Sequence, residues 1–269
     1  YLSHPYRIST IGWMDDLKAM TREDAWNHYK TYYTPSNSFA VLVGDFELNE
    51  AIGFFEKYFG PIPPGPKVPE ITIIEPPQEG ERRVWVQKQA NLPAVIIGYH
   101  VPVIGDPDFY ILDVISQILS SGGSSRLYQK LIYEDQIAVN AYGYAQDRKD
   151  PSIFQFILVA GKGHTTDELE TATYELIEEM KINPVEGREL EKAKNNVKAD
   201  FFLAQESNEG LASWLANYES IGVGWNYLNT YAEKINTITK ADIMRVVKKY
   251  FIKKNRTVAI LDIDEEAGK

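Results

Sequence analysis

Two stretches of this chain, 218 residues apart (239 − 21), are built alike, and that repetition constrains the fold more than any other feature. Thr21–Glu47 reads TREDAWNHYKTYYTPSNSFAVLVGDFE, and Thr239–Glu265 reads TKADIMRVVKKYFIKKNRTVAILDIDE. At that constant offset Thr21 meets Thr239, Asp24 meets Asp242, Lys30 meets Lys248, Tyr32 meets Tyr250, Asn37 meets Asn255 and Glu47 meets Glu265. Each copy opens with a Thr-x-x-Asp variant of the capping box, a helix start signal. In the first copy Ala25, Tyr29 and Tyr32 recur at helical spacing, and Pro35 ends the helix. The apolar run Phe39–Val43 then predicts a strand buried on both faces.

A gapless register of identities and residue classes points to a duplication of large units rather than two unrelated helix–strand pairs. If each copy is as long as the offset, the chain holds the tail of one domain followed by one complete domain. Most of the first domain is then expected upstream of Tyr1. The remnant 1–60 should expose apolar side chains and unpaired strand edge, and so self-associate or dock on another chain.

Between the copies, GPIPPGPKVPEITIIEPPQEG (Gly60–Gly80) is too rich in Pro and Gly for helix or central strand. It predicts a stiff linker over 61–80, with a complete second domain over 81–269. In that domain strands are expected at Arg82–Gln89, Pro93–His100, Ile137–Ala145 and Ile153–Ala160, the last two as an antiparallel pair. Helices are expected at Pro107–Leu119, Arg126–Tyr133, Asp167–Lys181, Glu186–Leu203, Leu211–Ile221 and Trp225–Ile235. Strands first, helices later and one returning strand predict an α+β fold: a largely antiparallel sheet with helices on one face.

Composition removes several function classes. A net charge of −10 argues against nucleic acid as partner. The absence of cysteine removes disulfides, thiolate metal sites and cysteine nucleophiles, and leaves the compartment open. No stretch is apolar for long enough to predict a membrane helix. His4, His28, His100 and His164 stand in neither H-x-x-E-H nor H-E-x-x-H, so no catalytic residue and no metal ligand is assigned. His28 takes the place of Val246 in the repeat and is expected to be partly buried. Glu168, Glu170, Glu178, Glu179, Glu186, Glu189 and Glu191 are expected on the solvated faces of two helices.

One segment invites a ligand. SSGGSS (Ser120–Ser125) precedes a helix, where glycines let backbone come close to a bound group and helix N–H donors favour anions or carbonyl oxygens. It lacks the G-K-[ST] ending of a phosphate loop. Gly122, Gly123, Ser124 and Arg126 are the candidate substrate-binding residues, against the alternative of a turn that merely needs glycine. Arg126 and Tyr133 are seven apart and would stack on one helix side, a spacing common by chance.

HPYRISTIGWMDDLKAMTREDAWNHYKTYYTPSNSFAVLVGDF (His4–Phe46) and LSSGGSSRLYQKLIYEDQIAVNAYGY (Leu119–Tyr144) together resemble the insulinase-type zinc metallopeptidases, which include pitrilysin and the mitochondrial processing peptidases. The first resembles the end of their catalytic domain, the second the glycine-rich segment of the homologous domain after it. The resemblance implies repeated α+β domains closing around a peptide chamber, and a zinc held through H-x-x-E-H upstream of the matched stretch. It therefore implies no cofactor in this chain, with zinc only in the full-length protein. Aligned on S-S-R-L, the family's substrate-orienting arginine and tyrosine fall on Ile132 and Val139, so this half lacks that pair. Some bacterial members divide zinc motif and Arg/Tyr pair between two subunits. The expected partners are a peptide substrate and either a missing N-terminal domain or a homologous peptidase subunit, in a homo- or hetero-oligomer. The expected function is the chamber wall of a metalloendopeptidase, inactive by itself. The alternative is a noncatalytic subunit or scaffold of a peptidase-like heterodimer.

Overall fold

The structure, a computed structural model, describes residues 1–263. Two compact units divide at Pro77 and Gln78. In the first, Thr21 caps helix α2 (Arg22–Tyr32), which follows the short α1 (Met14–Ala19). The Thr21 and Asp24 side chains close a full capping box, Thr21 N reaching Asp24 Oδ2 at 2.9 Å and Asp24 N reaching Thr21 Oγ1 at 3.2 Å. Helix α3 (Leu48–Phe59) completes the unit. The Pro-rich stretch after it folds back along the same unit: Ser36 N donates to Pro64 O, and the Glu75 carboxylate accepts the backbone N–H of Leu2, Ser3 and His4 at 2.6–3.0 Å.

The expected strand Phe39–Val43 does not form. No described residue of the unit offers a ladder to it, and Phe39 and Leu42 are exposed. A buried strand needs a neighbour for its backbone donors and acceptors, and an apolar run alone supplies none. His28 corrects a second expectation. It lies exposed on α2, tilted against the Tyr32 ring at 4.5 Å.

The second unit is a sheet with helices over one face. Strands β1 (Arg82–Lys88), β2 (Ala94–Val101), β3 (Ala138–Ala145), β4 (Ser152–Ala160) and β5 (Arg256–Ile263) stand in the order β1-β5-β2-β4-β3. All pairings are antiparallel except β1 with β5. The last strand thus enters the middle of the sheet. Side chains alternate across a strand, and Val95, Ile97 and Tyr99 of β2, Phe154, Phe156 and Leu158 of β4, and Val258 and Ile260 of β5 bury the covered face.

Helices α4 (Pro107–Ser120), α5 (Thr166–Ile182), α6 (Gly187–Leu203), α7 (Asn208–Ser220), α8 (Tyr227–Thr237) and α9 (Lys240–Tyr250) supply the other layer. Their inner positions, such as Leu112, Ile115, Leu169, Ile235 and Val247, join the same core.

Helix α9 repeats α2 bond for bond. Thr239 N meets Asp242 Oδ2 at 3.0 Å and Asp242 N meets Thr239 Oγ1 at 3.3 Å. Beyond each helix an asparagine amide ties back to the last turn: Asn37 Nδ2 to Tyr32 O at 2.9 Å, Asn255 Nδ2 to Tyr250 O at 2.8 Å. The correspondence stops at the strand, since β5 is paired and Phe39–Val43 is not. The Glu47–Glu265 match lies partly outside the described residues. Burial differs as well: Tyr29 and Tyr33 are 51% and 68% exposed, their counterparts Val247 and Phe251 0% and 2%.

Glu170 corrects the reading of the acidic helices. It is buried on α5, takes both Nη atoms of Arg83 on β1, and accepts the Tyr174 hydroxyl at 2.6 Å. Glu170 lines up with Thr173 and Ile177, three and seven residues on. That places it on the inner side of its helix, a signal that charge counting overlooked.

Candidate functional site

Helix α4 sets the position of the glycine-rich loop. Asp106 caps its start by accepting Asp108 N at 2.8 Å. Asp108, buried, takes Arg245 Nη1 and Lys249 Nζ at 2.7 Å and Tyr250 Oη at 2.8 Å, which ties α4 to α9. Burial works to raise the pKa of Asp108, but the bonds from Lys249, Arg245 and Tyr250 outweigh it and hold the carboxyl below its ordinary value.

The far end of α4 seals the β3 edge. Ser116 Oγ donates to Gly143 O at 2.8 Å, and Gly143 N donates to Ser120 Oγ at 2.7 Å. Two helix hydroxyls thereby satisfy a backbone that an outermost strand would otherwise leave open. Only glycine fits there, because a Cβ on residue 143 would come within 2.7 Å of the Phe156 ring.

The chain then turns through Ser121–Ser125. Gly122 has φ +73°, a left-handed conformation that disfavours a side chain, although a Cβ there would meet nothing within 4 Å. Ser125 closes the turn, with its N and Oγ donating to Gly122 O at 3.1 and 2.8 Å. Gly122, Gly123 and Ser124 lie exposed. The Ser124 hydroxyl accepts from Lys192 of α6.

Arg126 is half-buried and already paired. Its Nε and Nη2 donate to the two oxygens of Glu189 at 2.8 Å each, and Glu179 stands 3.8 Å from Nη1. The bonded Glu189 carboxylate raises the pKa of the guanidinium. The structure thus gathers Gly122, Gly123, Ser124 and Arg126 at one corner, but the arginine charge is spent on helix α6. Sequence spacing gave no sign of this, since 63 residues separate the two partners.

The helix after the loop widens into a π-helical turn, Tyr128–Glu134, where Asp135 N reaches back to Lys130 O at 3.0 Å. Tyr133 is 68% exposed. Ile132 packs partly against the core and Val139 is exposed on β3. Both are aliphatic and donate no hydrogen bond to a substrate.

Zinc does not fit the donors present. The four histidines are scattered: His4 caps a short 3-10 helix, His28 is on α2, His100 on β2, and His164 precedes α5 with Nδ1 3.3 Å from Glu168. Among the described residues no group of three or more His, Cys, Asp or Glu could hold a metal ion.

A mostly antiparallel sheet under one helical layer and a capped helix built twice define an α+β protein. Comparison with known proteins makes this definite. Residues 19–197 match the Peptidase M16 inactive domain, and the chain belongs to that family. It is 30% identical to the zinc protease PqqE of Helicobacter pylori over 97% of this chain and 59% of that protein. The crystal structure of a protease from Helicobacter pylori superposes with a TM-score of 0.92 at 29% identity, covering 97% of this chain and 64% of that one. A probable mitochondrial-processing peptidase subunit beta of Arabidopsis thaliana is 22% identical over 96% of this chain and 50% of that protein. The chain thus spans between half and two thirds of the length of these relatives. The resemblance read from the two sequence motifs is borne out, and so is the α+β fold.

Proposed function

We propose that this chain is the noncatalytic half of a zinc metalloendopeptidase and walls the chamber that confines a peptide substrate. The observation that carries this reading is the twice-built helix with identical caps, buried in one copy and bare in the other. The bare face of α2, with Tyr29 and Tyr33 outward, holds the positions that α9 fills with the covered Val247 and Phe251. On this reading it receives a preceding homologous domain or a homologous subunit, and zinc sits in that partner. On this reading the domain boundaries are a first segment over 1–60, a connecting stretch over 61–80 and a second domain over 81–269.

The glycine corner would meet substrate through backbone N–H groups and the Ser124 hydroxyl. Arg126 would hold the corner in place, because Glu189 has neutralised it. Exposed loop backbone on a rigid helix end suits a peptide carbonyl.

The test is a peptide-hydrolysis assay with added zinc, on this polypeptide alone and after mixing with a homologous segment that carries H-x-x-E-H. Hydrolysis only in the mixture is expected. Turnover by the isolated chain, or one tightly held zinc, overturns the proposal. Tight association without turnover in the mixture supports the scaffold role instead.

A further inference from the structure

We propose that the cavity enclosed by α4, α6, α7, α8 and the end of β3 is a binding site for an organic cation, a guanidinium or a primary alkylammonium group. The inference is independent of the peptidase reading, since it rests on the second unit alone.

The cavity measures about 220 Å³. Three carboxylates line it, Asp113 from α4, Asp147 just after β3 and Asp200 from α6, and no lysine or arginine does. Asp113 is half-buried and Asp147 and Asp200 are exposed, and three like charges about one space with no basic side chain among them favour a positive guest. Asp113 Oδ2 accepts the Tyr231 hydroxyl at 2.7 Å, and Asp200 Oδ2 accepts Gln117 Nε2 at 2.9 Å. Each carboxylate keeps a further oxygen with acceptor capacity. Gln117 Oε1 is sealed from solvent and has no hydrogen-bond partner, although Gln117 lines the cavity.

The remaining wall is aromatic. Trp214 and Tyr218 of α7 lie 5.1 Å apart, Tyr218 and Tyr227 4.5 Å, and Phe201 stacks on Tyr231 at 4.4 Å. Ring faces attract cations, above all in desolvated sites. The combination of carboxylates and rings favours a flat or alkyl-bearing cation. A bare metal ion is a poorer guest, because the carboxylates do not converge into a group that could hold one. An anion meets carboxylates and no basic side chain, and an apolar guest leaves the carboxylates unanswered.

Without a guest the cavity neutralises itself with protons. Desolvation, with the Asp147 charge adding, pushes Asp113 up to about 8, and desolvation alone pushes Asp147 up to about 6. The facing phenols of Tyr218, Tyr227 and Tyr231 are driven upward by burial and stay neutral. Arg148, next in the chain, turns its Nε to Gln146. A bound cation lowers both aspartates, so binding near pH 7 releases a proton from Asp113. Affinity falls as pH drops toward the Asp147 value of about 6.

The experiment is titration calorimetry of the full chain with butylammonium, with N-acetyl-arginine methylamide and with the neutral citrulline counterpart. The two cations are expected to bind, with a heat that changes with buffer ionisation at pH 7, and the citrulline compound is not. Asp113→Asn and Asp147→Asn should each weaken binding roughly tenfold or more. Should Asp113→Asn fail to fold, Asp147→Asn and the pH profile of the unaltered chain decide. An arginine set in an extended peptide serves as a second arm. Binding there assigns the guest to a polypeptide side chain, and binding of the free compounds alone assigns it to a small amine. No binding at millimolar concentration, equal binding of the citrulline compound or unchanged affinity in both variants overturns the proposal.

Discussion

Glu170 and Arg83 meet as a forked pair across 87 residues of sequence, with Nη2 to Oε1 at 2.6 Å and Nη1 to Oε2 at 3.1 Å. The pair clasps α5 to β1, a strand paired on one side only. Glu170 is 6% exposed at its side chain and Arg83 27%. Removing the carboxylate leaves a partly buried guanidinium with Glu81, 3.3 Å away, and the Trp85 ring. Glu170→Ala is expected to cost about 2–3 kcal/mol. Replacing both residues by apolar ones should recover part of that loss. Denaturant unfolding of the single and double variants measures it, and an unchanged midpoint in Glu170→Ala contradicts the expectation.

Asn255 and Asn37 close the same turn in the two repeats, but Asn255 Nδ2 also reaches His100 O at 2.9 Å and so braces β2. Asn255→Ala is expected to cost about 1–3 kcal/mol, and Asn37→Ala, on an exposed turn, less than about 1 kcal/mol. Equal losses in the two variants would show that the second bond adds nothing.

Glu75 sets a pH window for the first unit. Burial works to raise its pKa, but the backbone donors of His4, Leu2 and Ser3 win and hold it down to about 2, against an ordinary value of 4.5. A depressed carboxyl gives stability that is present above the unfolded value and lost as pH falls through the folded one. The first unit should therefore loosen between pH 4.5 and about 2. Glu75→Gln should flatten that stretch of the profile, measured by hydrogen exchange at Leu2–His4. A profile of the same slope in Glu75→Gln rules the explanation out.

Gly122 and Gly123 make different demands. Gly122→Ala forces a side chain into φ +73° and should cost about 1–2 kcal/mol with no steric clash. At Gly123 a Cβ would stand 3.7 Å from Tyr128, an ordinary contact, so alanine there should be close to neutral. Thermal melts of the two variants separate a conformational requirement from a spatial one, and equal shifts would remove the distinction.

The bare face of α2 should make the isolated polypeptide associate. Tyr29→Glu and Tyr33→Glu are expected to shift sedimentation toward the monomer, since both side chains are exposed and apolar over most of their area. A chain that sediments as a monomer without either change argues against a covered face.

Sequence alone determined the parts of this protein that depend on neighbours a few residues apart. The capping boxes at Thr21 and Thr239 and the strands β2 and β4 follow from spacings within one turn or one strand. The family followed too, because its motifs are local strings. Tertiary structure decided whatever depends on a partner far along the chain. Phe39–Val43 and Val258–Leu261 have the same apolar character, yet only the second has strands on both sides to pair with. Glu189 and Glu170 look like any surface glutamate until α6 and α5 bring them to Arg126 and Arg83. Asp113 is pushed up to about 8 by the desolvation that folding imposes, with the Asp147 charge adding. A cap is fixed by two residues three apart, whereas the charge of a carboxylate is fixed by what folding removes from its surroundings.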